Sequence, residues 1–119
     1  MEQQGLAIHV IDDDEHVRDS LETLLASHGY AVHGYRSAEE FLAALPGFDR
    51  PALAVVDLDL PGQDGLSLVA RLAGRLPAIV VTGRVDEANS QAAARAGAVA
   101  CLFKPFEPAR LLDEIARHG

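Results

Sequence analysis

Short apolar runs of strand length alternate with amphipathic stretches along the whole chain. The apolar runs occupy 6–11, 31–35, 53–57, 78–81 and 98–103. Alternation of this kind favours βαβ crossovers, in which helices cover both faces of a parallel sheet. The pattern therefore predicts an α/β fold of five strands and five helices, and the 119 residues suffice for one domain, 1–119, with a single core.

Capping residues predict where several helices begin and end. Asp14 predicts the start of a first helix over roughly 15–28, which His28 and Gly29 close. Ser37 and Glu40 match a capping box at the start of a short second helix. Pro and Gly residues predict turns at Pro46, Gly47 and Pro51 and a loop at 60–65. The spacing of apolar residues predicts three further helices, near 66–74, near 87–96 and from about 107.

Composition restricts the partners and the compartment. A formal net charge of −8 and the absence of a Lys/Arg cluster argue against direct nucleic-acid binding and favour protein partners and small cationic ligands. The apolar runs are too short to span a bilayer, and the N-terminus shows no secretory signal. The single cysteine, Cys101, is consistent with a reducing compartment. We therefore expect a cytoplasmic protein that does not bind membranes.

Polar residues of particular kinds follow four of the apolar runs. Asp12 and Asp13 follow the first run, Asp57 ends the third, Thr82 follows the fourth and Lys104 follows the fifth. Because a parallel sheet gathers the carboxyl ends of its strands at one edge, these residues are expected to converge. The sequence therefore predicts one pocket that holds a divalent cation and accepts a phosphoryl group.

The adjacent carboxylates of Asp12 and Asp13 favour a metal site. Like charges this close repel each other unless a cation lies nearby, and Asp57 is expected at the same edge of the sheet. Mg²⁺ prefers hard oxygen ligands and often uses one or two carboxylates together with a phosphate. The alternative is a solvated acidic turn, and Asp14 is sufficiently explained as a helix cap. We favour Mg²⁺, which together with Lys104 would offset the clustered carboxylates.

Asp57 is the candidate nucleophile. A carboxylate can attack a phosphorus atom that a metal and a cation hold in line, and the product is an acyl phosphate. Thr82 can donate its hydroxyl proton to one phosphoryl oxygen, and Lys104, the only lysine in the chain, can place an ammonium beside another. Taken singly, Thr82 could equally be a turn residue and Lys104 a surface lysine. Pro105 biases Lys104 to an extended conformation and allows a cis peptide bond.

Four motifs occur in order along the chain and together cover essentially all of it: VIDDDEHVRDSL, VVDLDLPGQDGL, VVTG and AGAVACLFKPF. In order and spacing they resemble the receiver domain of bacterial two-component response regulators. The segments SAEEFL and KPFE are most similar to the FixJ-like group, whose receivers precede LuxR-type helix-turn-helix domains. The resemblance implies the flavodoxin-like, CheY-like (βα)5 fold, a doubly wound parallel sheet with strand order 2-1-3-4-5.

The same resemblance implies roles for individual residues. Asp57 would be the phosphoacceptor, and it would bind Mg²⁺ together with Asp12, Asp13 and the main-chain carbonyl of Asp59. The phosphoryl group would be contacted by the two remaining site residues, Thr82 and Lys104.

The resemblance also implies the partners. The phosphoryl donor would be a phosphohistidine of a sensor histidine kinase, and phosphorylation would switch protein contacts in a phosphorelay that can control transcription through an output domain. A homodimer would form through the fourth helix, the fifth strand and the fifth helix, and this domain itself would not bind nucleic acid. The domain would catalyse only its own phosphorylation and dephosphorylation, and so would not be an enzyme in the usual sense.

Cys101 departs from the pattern of that family, which usually carries Tyr or Phe three residues before the pocket lysine. By the alternation of a strand, Phe103 lies on the same side and could partly substitute in the switch. We interpret Cys101 as a small buried apolar residue rather than a redox group. Asp59 adds a negative charge at the mouth of the site, where Arg84 could pair with it or both could be solvated.

Two other functions remain open. The segment DLD at 57–59 is similar to the nucleophile and acid-base pair of haloacid-dehalogenase-type phosphohydrolases, but in that family the motif lies on the first strand and the other acids follow it. A receiver-fold scaffold that is not phosphorylated would normally lack one of the site residues, and this chain retains all of them. Steady turnover of a phosphatase substrate would support the enzyme, and failure to form an acyl phosphate would support the scaffold.

Overall fold

A computed structural model describes residues 6–44, 52–60, 65–84 and 87–119 of the chain. The predicted turns at Pro46, Gly47 and Pro51, and most of the predicted loop at 60–65, lie outside these ranges. Among the described helices, none is both long and apolar enough to cross a lipid bilayer.

Parallel strands and helices alternate as the sequence predicts. The strands are β1 (Ala7–Ile11), β2 (Ala31–Tyr35), β3 (Ala52–Asp57), β4 (Ala78–Thr82) and β5 (Ala100–Phe103). The helices are α1 (Glu15–Ser27), α2 (Ala38–Ala43), α3 (Gly65–Leu72), α4 (Glu87–Ala96) and α5 (Pro108–His118). The strands form a five-stranded sheet in the order β2-β1-β3-β4-β5, with parallel pairing throughout. The predicted fold class and strand order are therefore confirmed.

Several element boundaries shift by one or two residues from the prediction, and two of these shifts have a local cause. The fifth strand begins at Ala100 rather than at 98, because the main-chain N–H of Ala98 donates to the carbonyl of Ala93 (3.0 Å) and so closes α4. The first helix ends at Ser27, and Gly29 follows with a φ of 91°, in the left-handed region that favours glycine.

Hydrophobic clusters lie on both faces of the sheet. One cluster joins the sheet to α2, α3 and α4 and includes Phe41 and Leu68. The other joins it to α1 and α5 and includes Leu25 and Ile115. Strands β1, β3 and β4 are buried along their whole length, as central strands covered by helices on both faces must be. The carboxyl ends of these strands are therefore held by a close-packed core.

The first two helices begin at the predicted capping residues. The Asp14 carboxylate accepts a hydrogen bond from the main-chain N–H of His16 (2.9 Å), in the first turn of α1. The Ser37 hydroxyl accepts a hydrogen bond from the N–H of Glu40 (3.0 Å). The reciprocal bond of the predicted capping box is displaced by one residue, because the Glu40 carboxylate accepts from the N–H of Arg36 (3.0 Å) and not from that of Ser37.

Gly65 allows α3 to begin close to the end of β3. An added Cβ at this position would lie 2.9 Å from the main-chain oxygen of Asp57 and 3.0 Å from the Cα of Leu58. Both atoms belong to the backbone, which cannot move aside as the end of a flexible side chain can. A larger residue here would therefore displace the segment that carries Asp57.

His9 is a buried histidine on β1. Its Nδ1 atom lies 3.1 Å from the hydroxyl of Tyr35, and its ring centroid lies 5.4 Å from those of His33 and Phe41. Burial, with a smaller contribution from the charge of His33, lowers the pKa of His9 from 6.5 to about 4. The imidazole of the folded protein is therefore neutral at neutral pH.

Acidification is expected to destabilise the protein through His9. The unfolded chain protonates this imidazole near its ordinary pKa of 6.5 and the folded chain at about 4, so the free energy of unfolding falls as the pH falls through this interval. The full loss is up to about 3 kcal/mol. Urea unfolding at neutral pH and at about pH 4.5 measures most of it.

Two substitutions assign this loss to His9. His9→Gln retains a polar partner for Tyr35 and cannot be protonated in this range, so its loss of stability between neutral pH and about pH 4.5 should be smaller than that of the parent by about 2 kcal/mol. His16→Gln, on the exposed surface of α1, should leave the loss unchanged. The prediction is wrong if His9→Gln and the parent lose the same stability.

Candidate functional site

The carboxyl ends of four neighbouring strands form the candidate site, as predicted. Asp12 directly follows β1, Asp57 is the last residue of β3, and Thr82 is the last residue of β4. Lys104 directly follows β5, and its main-chain N–H donates to the carbonyl of Thr82 (2.8 Å). Parallel pairing in register places these ends side by side at one edge of the sheet.

Three carboxylates are close enough to share a cation. Asp12, Asp13 and Asp57 offer oxygen atoms that lie within 4.8 Å of one another. Asp12 and Asp57 are buried, whereas Asp13 is exposed and opens the cluster to solvent. Two buried negative charges at this separation are unfavourable unless positive charge offsets them.

Asp12 has one oxygen without a hydrogen bond. Its Oδ1 accepts from the N–H of Asp14 (2.9 Å), while Oδ2 is buried and, within the described residues, makes no hydrogen bond. Burial is the largest cause that raises the pKa of the Asp12 carboxyl, and the neighbouring charge of Asp57 adds to it. A buried, unsatisfied carboxylate oxygen beside two further carboxylates is a hard donor set that fits Mg²⁺.

Lys104 supplies a positive charge to this cluster. Its Nζ lies 3.2 Å from Oδ2 of Asp57 and 3.7 Å from Oδ2 of Asp12. Burial alone would lower the pKa of Lys104, but the charges of Asp57 and Asp12 outweigh it and raise the pKa overall. The ammonium is therefore charged at neutral pH, and it offsets only part of the charge of the cluster. The Lys104–Pro105 peptide bond is cis, which the sequence indicated as an option.

The two oxygens of Asp57 have different partners. Oδ1 accepts a hydrogen bond from the main-chain N–H of Asp59 (2.8 Å), and Oδ2 faces Lys104. The residue is 2% exposed at the end of a strand that is buried along its length. The core, one N–H donor and one ammonium therefore fix the orientation of this carboxylate.

Thr82 belongs to the site, but its hydroxyl is bonded to Asp59. The hydroxyl donates to Oδ1 of Asp59 (3.2 Å) and accepts from the N–H of Arg84 (3.0 Å). Oδ2 of Asp59 accepts from the N–H of Gly83 (2.9 Å). The predicted Asp59–Arg84 pair is present, with 3.9 Å between Nε and Oδ1, but the arginine side chain is 76% exposed and the pair contributes little to stability.

Arg18 is a neighbour of the site that the sequence interpretation did not identify. Its Nη1 donates to the main-chain carbonyl of Asp12 (2.9 Å), so α1 is tied to the end of β1. Arg18 lies four residues after the cap Asp14, on the same side of the helix, and this spacing is the signal that could have identified it.

The residues expected to form the switch lie beside the site rather than in it. Cys101 and Phe103 line a surface cavity of about 590 Å³ together with residues of the β5–α5 connection and α5. Cys101 is half-buried, not fully buried as expected, because one side packs against the core while the other faces this cavity. Burial raises the pKa of its thiol despite a side-chain hydrogen bond with Ser90, so the thiol is protonated at neutral pH.

Comparison with known proteins identifies similar chains. The response regulator receiver domain family matches residues 8–116. The transcriptional regulatory protein FixJ of Rhizobium meliloti is 39% identical over 113 residues, which are 92% of this chain and 55% of that protein. FixJ of Bradyrhizobium diazoefficiens is 42% identical over 107 residues, 87% of this chain and 52% of that protein. The chain thus spans about half the length of the curated relatives it matches.

Solved structures show the same architecture. The crystal structure of FixJ-N superposes with a TM-score of 0.85 and 38% identity, covering 95% of this chain and 92% of that chain. A CheY-like receiver domain protein from Methanospirillum hungatei superposes with a TM-score of 0.83 and 34% identity, covering 93% of this chain and 90% of that chain.

Proposed function

Because this chain belongs to the response regulator receiver domain family, whose members are signalling domains that accept a phosphoryl group on an aspartate, we propose that Asp57 is its phosphoacceptor. The surroundings of this carboxylate carry the proposal. Asp57 lies buried at the end of β3, 3.2 Å from the Lys104 ammonium and within cation-sharing distance of Asp12 and Asp13. With a divalent cation on these carboxylates, the Lys104 ammonium would complete the positive charge that lets a carboxylate meet a phosphoryl group.

Asp12, Asp13, Asp57 and the main-chain carbonyl of Asp59 would hold Mg²⁺, which supplies positive charge to the phosphoryl oxygens. With a phosphohistidine donor, a carboxylate oxygen of Asp57 forms a bond to phosphorus while the bond from phosphorus to the imidazole nitrogen breaks. The electron pair of the broken bond stays on that nitrogen. Lys104 remains protonated and contacts the new acyl phosphate. The Thr82 hydroxyl donates to another phosphoryl oxygen.

A direct test uses a small-molecule phosphodonor such as acetyl phosphate. In the presence of Mg²⁺, mass spectrometry of the intact chain should show one added phosphoryl group, and chelation of the metal with EDTA should nearly abolish labelling because the clustered carboxylates then repel the anionic donor. Equal labelling with and without the metal would contradict the proposed metal site. Release of the group by hydroxylamine would identify an acyl phosphate.

We further propose a sensor histidine kinase as the natural donor. Beside Lys104 lies an apolar groove of about 490 Å³ between α1 and the β5–α5 connection, lined chiefly by Val17, Leu24, Pro105 and Phe106. A phosphohistidine must reach Asp57, so the body of its protein has to cover the surface next to the site. The groove is the apolar part of that surface and supports a protein donor rather than a small molecule alone.

A substitution in the groove separates protein donors from small ones. Leu24→Ser should slow phosphotransfer from an autophosphorylated histidine kinase by about tenfold, because an apolar anchor of the interface is lost. Labelling by acetyl phosphate should be unchanged, since Leu24 does not contact the carboxylates. The kinase is identified by profiling phosphotransfer from the sensor kinases of the source organism. The control variant is Leu112→Ser on α5, which should not slow phosphotransfer. Equal slowing with both donors would contradict the docking role of the groove.

The face of α4, β5 and α5 is the proposed surface for a homodimer, and Cys101 with Phe103 is the proposed switch. The cavity at these residues supports this, since an aromatic ring at position 101 would have space beside Phe103. Cys101→Tyr should strengthen dimerisation of the phosphorylated chain more than it changes the rate of phosphorylation. Sedimentation equilibrium measures this, and an unchanged dimer constant would remove the role of position 101.

The similarity to FixJ, a transcriptional regulatory protein, supports a role in the control of transcription through a separate output domain, in the cytoplasm. With a net charge of −8, this chain is not expected to bind DNA itself. The genomic sequence that follows the codon of Gly119 tests the proposal. A helix-turn-helix domain there would support it, and a stop codon would contradict it.

A further inference from the structure

A second carboxylate, Asp59, bridges the loop after β3 to the turn after β4. Its Oδ1 accepts from the Thr82 hydroxyl (3.2 Å), and its Oδ2 accepts from the main-chain N–H of Gly83 (2.9 Å). Arg84 lies 3.9 Å away on the solvent side. Both carboxylate oxygens of Asp59 are therefore used to hold the segment that leads to α4.

The hydroxyl of Thr82 has a single proton, and that proton is given to Asp59. The oxygen lone pairs face donors, the N–H of Arg84 at 3.0 Å and the side-chain amide of Asn89 at 3.5 Å. Thr82 is fully buried, so water does not offer a replacement partner. A phosphoryl oxygen on Asp57 can receive this proton only if the bond to Asp59 breaks.

The arrival of a phosphoryl group itself favours that break. The acyl phosphate carries nearly two negative charges, where the Asp57 carboxylate carried one. The main-chain N–H of Asp59 donates to Asp57 over 2.8 Å, so the Asp59 carboxylate is attached close to the new charge. Its side chain is 33% exposed and borders an open cavity of about 310 Å³ that Arg84 also lines. Repulsion can therefore turn this carboxylate outward, into a space that already has room and a cation.

We propose that Asp59 is a positioning residue that holds the Thr82 hydroxyl and the Gly83 N–H in the unphosphorylated protein and releases both when Asp57 carries a phosphoryl group. This inference rests on the proposed phosphorylation of Asp57. Release frees the Thr82 proton for the phosphoryl oxygen and removes a tether from the turn that precedes α4. Asp59 thereby competes with the phosphoryl group for one donor and links the state of Asp57 to the position of that turn.

A double-mutant cycle with Asp59→Ala and Thr82→Val tests the competition. The probe is beryllofluoride, which mimics a phosphoryl group on a carboxylate, and its affinity is measured by ¹⁹F NMR at saturating Mg²⁺. Asp59→Ala should bind beryllofluoride about fivefold more tightly than the parent, the equivalent of one ordinary hydrogen bond. In the Thr82→Val background the same substitution should change the affinity by less than about twofold.

The cycle distinguishes the hydrogen bond between Thr82 and Asp59 from simple repulsion between the Asp59 carboxylate and the anionic probe. If Asp59 acted only by repelling the anionic probe, its removal would tighten binding equally in both backgrounds, and the proposal would be overturned. Unchanged or weaker binding by Asp59→Ala would overturn it as well. Thr82→Ser keeps the hydroxyl and serves as the conservative variant, in which the fivefold gain should return.

Amide hydrogen exchange gives a readout that does not depend on affinity. The Gly83 N–H should exchange faster in Asp59→Ala without any ligand, and faster in the parent once beryllofluoride and Mg²⁺ are bound. The control is the Lys104 N–H, which donates to the Thr82 carbonyl over 2.8 Å and should stay protected in every sample. Continued protection of Gly83 in the parent bound to the probe would contradict release.

Failure of this inference is distinguishable from failure of the proposed function. A parent protein that binds no beryllofluoride and accepts no phosphoryl group would contradict the assignment of Asp57. A parent that does both, with an Asp59→Ala variant that behaves identically in affinity and in Gly83 exchange, would contradict only the role of Asp59.

Discussion

Asp57→Asn is expected to abolish phosphorylation. An amide lacks the negative charge that makes a carboxylate oxygen nucleophilic toward phosphorus, although an Asn side chain fits the same space and its oxygen can still accept from the N–H of Asp59. With acetyl phosphate and Mg²⁺, mass spectrometry should show one phosphoryl group on the parent and none on the variant.

The matched control for this loss is Asp19→Asn. It makes the same chemical change on the exposed surface of α1 and should be labelled as fully as the parent. Circular dichroism establishes that Asp57→Asn is folded, so that absence of labelling does not reflect unfolding. Labelling of Asp57→Asn at the rate of the parent would show that another residue is the nucleophile and would overturn the proposed function.

Asp12→Asn is expected to make the metal-free protein more stable while it disables the site. Burial raises the pKa of the Asp12 carboxyl, and a group with a raised pKa contributes stability below its ordinary pKa of 3.8 that is lost as the pH rises through the folded value. At neutral pH the charged carboxylate is therefore a cost. Replacing it with a neutral amide should raise the free energy of unfolding by about 1–3 kcal/mol. The amide can donate to a neighbouring carboxylate, and Lys104 keeps Asp57 as its partner at 3.2 Å.

The same substitution should remove most of the stabilisation by Mg²⁺. A ligand that binds only the folded state stabilises it by mass action, so Mg²⁺ should raise the unfolding midpoint of the parent. Asp12→Asn should lose most of this increase, and its labelling by acetyl phosphate should fall by more than about tenfold. Urea unfolding with Mg²⁺ and with EDTA measures both effects, with Asp19→Asn as the control that changes neither. An Asp12→Asn variant that is less stable than the parent in EDTA would contradict the charge cost.

These two variants illustrate one property of the site. Two buried carboxylates face a single ammonium, so the protein without a bound cation bears the cost of unbalanced negative charge. A bound divalent cation would balance it, and together with Lys104 it would offset the further negative charge of a phosphoryl group.

The architecture and the candidate site residues were predictable from local patterns in the sequence. Strand-sized apolar runs and capping residues are local patterns, so β1 to β5 and the start of α1 at Asp14 were predictable with small shifts at the ends. The convergence of Asp12, Asp57 and Lys104 was predictable too, because parallel strands leave their carboxyl ends at one edge of the sheet. Their roles in phosphoryl transfer stay predictions.

The partner that each polar side chain takes was not predictable, because it depends on contacts between segments that are distant in sequence. Thr82 and Asp59 are 23 residues apart, and nothing in either segment indicates that the hydroxyl donates to this carboxylate. The same holds for the half-buried state of Cys101 and for the pKa of His9, which depend on how α4 and β2 lie against neighbouring strands. Periodicity and capping act between residues that are close in sequence. Hydrogen-bond partners and burial depend instead on the relative placement of loops that only the assembled sheet brings together.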